Sequence, residues 1–81
     1  MRERKQSLYE PRPARVRATA RGCPLEVDGV RVLSVRETWL LEDRWWGEQP
    51  LCRRYWELLM ASGRNAVVFC ELPARRWFAQ L

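Results

Sequence analysis

The side chains best equipped for chemistry in this chain are arginines set beside aromatic rings. Arg44-Trp45-Trp46 and Arg53-Arg54-Tyr55-Trp56 each join guanidinium groups to planar rings within a few positions. A guanidinium pairs with phosphate or carboxylate oxygens, and an indole offers a face on which an unpaired base can stack. Exposed on one surface, such a mixture suits single-stranded nucleic acid. The competing expectation is burial: Trp39, Trp56 and Trp77 are expected in the core, packed across neighbouring strands. The Trp45-Trp46 pair differs, because adjacent residues in an extended segment point to opposite sides. One ring then needs a second surface, a ligand or a partner.

Catalytic equipment is sparse. The chain has no histidine, so the usual general base near neutral pH is missing. No Gly-rich phosphate cradle and no GxSxG elbow is present. Glu42 and Asp43 adjoin, but neighbouring positions diverge on a strand and do not divide acid and base roles. Cys52, beside Arg53 and Arg54, is the one thiol with electropositive neighbours. The three cysteines, Cys23, Cys52 and Cys70, form no CxxC pair, which argues against a zinc site and against a disulfide framework. They read as small hydrophobes in a reducing compartment. The expectation is a protein that is not an enzyme and takes no metal or cofactor.

Charge narrows the partner. The net charge is +5, and residues 1–21 carry seven basic groups against two acidic ones. The remaining sixty residues carry eight of each, so the positive field belongs to the N-terminal segment. A concentrated basic segment is the footprint of a polyanion, although arginine also serves simply to keep a surface soluble. The candidate binding residues are therefore Arg15, Arg17, Arg44, Trp45, Trp46, Arg53 and Arg54. No stretch approaches the ~20 apolar residues that cross a bilayer, and no apolar run follows the charged start. The expected location is the cytoplasm, with no membrane partner.

These residues need elements to hold them. Eighty-one residues make one domain, and a chain this short buries roughly 60% of its unfolded surface, which leaves a modest core. Pro11 and Pro13 make residues 1–13 an extended basic arm, followed by a single small β domain over residues 14–81. Residues 14–20 alternate Val16, Ala18 and Ala20 with Arg15, Arg17 and Thr19, a strand with a basic outer face. Asp28-Gly29 between alternating runs is a strong hairpin signal, because a type I′ turn needs positive φ at both positions. A long β-rich run covers residues 30–41, and loop chemistry covers residues 42–50, with room for at most one helical turn near residues 37–48. Residues 53–61 set Trp56, Leu58 and Met60 against Tyr55, Glu57 and Leu59. Ser62-Gly63 turns, residues 65–71 are strongly β-prone, Pro73-Ala74 turns again, and residues 76–81 close the chain. The pattern predicts an all-β fold, a small antiparallel meander of five to six strands, curled or barrel-like.

The order of these pieces resembles a known family. The runs LYEPRPARV, VDGVRV, RETWLLEDRWW, RRYWELLMASGR, VVFCEL and RRWFAQL resemble small proteins common in actinobacteria. They are also similar to the C-terminal tail of the ImuB-type, polymerase-like mutagenesis subunit. The matching positions are Trp39, Trp45, Trp46, Arg54, Tyr55, Trp56, Gly63, Trp77 and Phe78, none with a catalytic role to transfer. Cys70 departs from the commoner pattern, which carries arginine there. The resemblance implies an accessory or adaptor module in DNA damage tolerance, acting in translesion synthesis. Its expected partner is an error-prone polymerase or polymerase-like subunit. The alternatives are direct binding of single-stranded nucleic acid through the basic arm and exposed aromatics, and a homodimer formed by edge-strand pairing.

Overall fold

The computed structural model describes residues 11–43 and 51–80. Among them the fold is all-β, with seven antiparallel strands. These are β1 (Arg12–Pro13), β2 (Val16–Ala18), β3 (Pro24–Val27), β4 (Val30–Asp43), β5 (Leu51–Met60), β6 (Asn65–Leu72) and β7 (Arg76–Gln80). Their spatial order is β1-β7-β6-β5-β4-β3-β2. From β2 to β7 every strand pairs with the next, a meander. Asp28 and Gly29 turn with φ of 48° and 86°, the positive values that a type I′ hairpin requires. At the β5–β6 turn Gly63, at φ 90°, donates its N–H to the Met60 carbonyl at 2.8 Å.

The strands are unequal. β4 and β5 run for 14 and 10 residues, whereas β1 and β2 have two and three. The expected strand over residues 14–20 thus shortens to β2. Glu42 and Asp43 belong to β4 instead of a loop, and residues 37–43 form strand with no helical turn. The sheet also begins earlier than expected, since Arg12 and Pro13 pair with Ala79 and Phe78 of β7.

Two bulges shape β4. Its register against β5 slips at Leu33 and again at Arg36, and each extra residue bends the strand and adds twist. A third slip lies in the β2–β3 pair. The bent strands curl the sheet into a half-barrel, and the N-terminal segment bridges its margins. Ala14 donates its N–H to the Trp77 carbonyl at 3.1 Å, while Asp28 donates its N–H to the Arg15 carbonyl at 2.8 Å. The Arg15 N–H in turn donates to Asp28 Oδ1 at 2.9 Å.

Curling gives the sheet two unlike faces. Inside, Val27, Leu58, Met60, Val68 and Ala79 are buried, with Ala14, Val16, Val32, Ala66, Trp56 and Trp77 packed around them. Outside, the cross-strand register aligns Trp39, Tyr55, Phe69 and Phe78 on four adjacent strands. Their rings form a ladder with successive centroid distances of 5.2, 4.9 and 5.2 Å. Trp39 is therefore not core: it ends that ladder at 39% exposure. Trp56 and Trp77 do pack against the core, and only partly.

Candidate functional site

The β5 strand alternates its side chains between the two faces, and that alternation separates Arg53 from Arg54. Arg54 lies opposite Cys70 on β6, which lies opposite Trp77 on β7. Trp56 is two residues along on the same face, so these four side chains share the concave side. Here the half-barrel opens into a cleft of about 330 Å³, near the lower limit of small-ligand sites.

Three arginines line this cleft: Arg54 from β5, Arg75 from the β6–β7 turn and Arg21 from the β2–β3 turn. Trp56 and Trp77 form its aromatic wall, with centroids 5.2 Å apart and planes inclined at 35°. That spacing leaves no room for a third ring between them, so a planar ligand would lie on an open indole face. Cys70, Leu72 and Ala18 supply the apolar floor, and no carboxylate lines the cleft among the described residues. Three positive charges with no carboxylate among the described lining residues suit an anion.

Local structure holds two of the arginines. The Thr19 hydroxyl accepts the N–H groups of Arg21 and Cys23 at 3.2 and 3.1 Å, and the Thr19 carbonyl accepts the Gly22 N–H at 2.8 Å. Gly22, at φ 92°, completes a turn that carries Arg21 to the cleft rim. Arg75 adopts φ 60°, a left-handed conformation that costs a non-glycine residue of order 1 kcal/mol. Cys70 beneath them is buried, and its thiol pKa is raised. Burial is the main cause, the Glu71 charge adds to it, and the Arg75 charge works against it.

Arg53 has a different role. On the convex face its guanidinium lies 4.5 Å over the Phe69 ring, ion-pairs with Glu71 at 3.2 Å and donates to the Tyr55 hydroxyl at 3.3 Å. Burial works to lower its pKa, but Tyr55 and Glu71 outweigh burial and raise it. The group is a charged strut of the aromatic ladder. Arg15 and Arg17 are exposed on the margin formed by the N-terminal segment, and Arg17 pairs with Glu26 at 3.3 Å. Neither lines the cleft. Arg44, Trp45 and Trp46 lie outside the described residues.

Of the candidate binding residues that lie among the described ones, the cleft gathers only Arg54, with Arg21, Arg75, Trp56 and Trp77 joining it. All three cysteines are free thiols. Among the described residues no cluster of His, Cys, Asp and Glu is arranged to hold a metal ion. A second cleft at the other end of the half-barrel, about 380 Å³, is lined by Asp28 as well as Arg12 and Arg64, so its positive charge is partly offset. Compared with known proteins, the chain matches no family model, and no curated protein or solved structure is significantly similar to it.

Proposed function

We propose that this chain is a non-enzymatic binding module whose concave cleft receives single-stranded nucleic acid. The observation that carries the reading is the cleft's lining: Arg21, Arg54 and Arg75 around Trp56 and Trp77, with no acidic group among the described lining residues. Phosphates would meet the guanidinium groups, and a base would stack on the open face of one indole. Each base–aromatic stack contributes about 1–3 kcal/mol without demanding a sequence, which suits a general single-strand binder. The basic residues of the N-terminal segment would extend the positive track. The setting this implies is the reducing cytoplasm.

Titration of a labelled single-stranded oligonucleotide tests it. Three phosphate contacts predict a slope of about −2 in log affinity against log salt, since each contact to a single strand contributes about −0.7. Binding that is indifferent to salt, or no binding at low salt, overturns the proposal.

A second reading keeps the chain in protein assembly, as an accessory or adaptor in DNA damage tolerance. Two things support it: the resemblance to the polymerase-like subunit's tail, and the exposed apolar side chains along β4, among them Leu33, Leu40 and Leu41. Its partner would be an error-prone polymerase or polymerase-like subunit. A pull-down with those purified subunits that retrieves neither counts against this reading and leaves the cleft untouched.

A further inference from the structure

The arginine-lined cleft is closed at its inner end. Arg54, Cys70 and Trp77 form one cross-strand row on the concave side, and the next row is Trp56, Val68 and Ala79. Val68 and Ala79 are buried, as is Leu58 two residues beyond Trp56, and together they plug the half-barrel behind the indoles. The bridging N-terminal segment seals the plug from the other side. Val16 packs against it, and Ala18, two residues on, lines the cleft. The second cleft lies beyond the plug, against Met60, Ala66 and Ala79. A polynucleotide that enters past Arg21 and Arg75 therefore has no way through to the far end. The space, about 330 Å³, is also too small for a run of stacked bases.

We propose that this cleft receives the phosphorylated end of a single strand, with the terminal phosphate among the three arginines and the terminal base on an indole face. The proposal rests on the single-strand reading and narrows it from the length of a strand to its last nucleotide. An internal nucleotide drawn into a blind cleft must bring the chain in and out by one opening, whereas an end needs a single path. Charge agrees. A phosphate monoester carries about 1.5 to 2 negative charges near pH 7, and the next phosphate along the chain adds one. That total of about three matches Arg21, Arg54 and Arg75, whereas the two phosphates flanking an internal nucleotide leave one arginine without a partner. A 5′- and a 3′-monophosphate share this chemistry.

Oligonucleotides of one sequence, labelled at an internal base, separate the cases when titrated against the full chain. They are compared with a 5′-phosphate, with a 3′-phosphate, with hydroxyls at both ends, and circularised. One phosphorylated form should bind about tenfold tighter than the hydroxyl form and the circle, and which one does so names the end. Arg54→Ala, checked for folding by its denaturation midpoint, should shrink that preference several-fold. A circle that binds as tightly as both phosphorylated forms overturns the proposal. So does a preference that a folded Arg54→Ala variant leaves intact, because the end would then lie elsewhere. Salt-dependent binding of all forms alike removes end recognition and leaves the single-strand reading standing, whereas no binding of any form at low salt removes both.

Discussion

Arg53 and Arg54 are neighbours in the chain and work on opposite faces of the sheet. Arg53 spans Phe69 and Glu71 on the convex side, while Arg54 opens into the cleft beside Trp56. One residue of offset therefore separates a structural cation from a cleft-facing one. Replacing each by alanine should split stability from binding. Arg53→Ala removes a cation–π contact and an ion pair and uncovers Phe69, at a cost of about 1–2 kcal/mol. Arg54→Ala should leave the denaturation midpoint nearly unchanged and reduce the salt slope of oligonucleotide binding by about 0.7. Chemical denaturation and a salt-dependent titration of both variants check this. Equal loss of binding in the two would mean that the cleft is not the site.

The Thr19 hydroxyl gathers two N–H groups of the turn that presents Arg21. Thr19→Val keeps the shape of the side chain and leaves those donors to solvent, so stability should fall by about 1 kcal/mol. Thr19→Ser keeps the acceptor. Oligonucleotide affinity should drop several-fold in the valine variant and recover in the serine variant, as a positioning role demands. Affinity unchanged in both would remove Arg21 from the site.

Much of this fold was legible because turn chemistry dictates register. Asp28-Gly29 and Ser62-Gly63 mark hairpins, and alternation along β5 separates Trp56, Leu58 and Met60 from Tyr55, Glu57 and Leu59. The cleft was less legible. Its arginines come from a turn near the start of the sheet, from mid-strand and from a turn near its end, positions that converge only because the sheet curls. The turn after Met60 in fact carried a usable signal. It pairs Leu59 with Asn65, which sets Arg54 opposite Cys70 and so fixes one wall of the cleft. Trp39 defeated expectation for another reason: hydrophobic type predicts burial, but the ring lies on the convex face at a sheet edge, with nothing beyond it among the described residues.

Cys70 gives a pH prediction. Its raised pKa means that the folded chain favours the neutral thiol more than the unfolded chain does. The associated stability is fully present below the ordinary thiol pKa and is lost as pH rises through the folded value. Cys70→Ala carries no titrating group there. The stability difference between native chain and variant should accordingly be flat near neutrality and shrink under alkaline conditions. Denaturation across pH checks it, and a difference that grows with pH would contradict it. With 5% exposure, Cys70 should also react with a thiol reagent more slowly than the half-buried Cys23 and Cys52.

Arg75 offers the sharpest separation of stability from function. A left-handed arginine at the cleft rim is strained, and strain that persists beside a binding site is a candidate functional cost. Glycine adopts the same φ without a steric penalty, although its greater unfolded-state freedom offsets part of the gain. Arg75→Gly should therefore leave the fold as stable or more so, by up to about 1 kcal/mol. It should at the same time weaken oligonucleotide binding and lower its salt slope. Arg75→Ala keeps the strain and removes the charge, so it should lose binding with no gain in stability. Were Arg75→Gly to bind as tightly as the native chain, the arginine would be incidental to the cleft. If instead both variants lost stability, the side chain would be holding the turn rather than waiting for an anion.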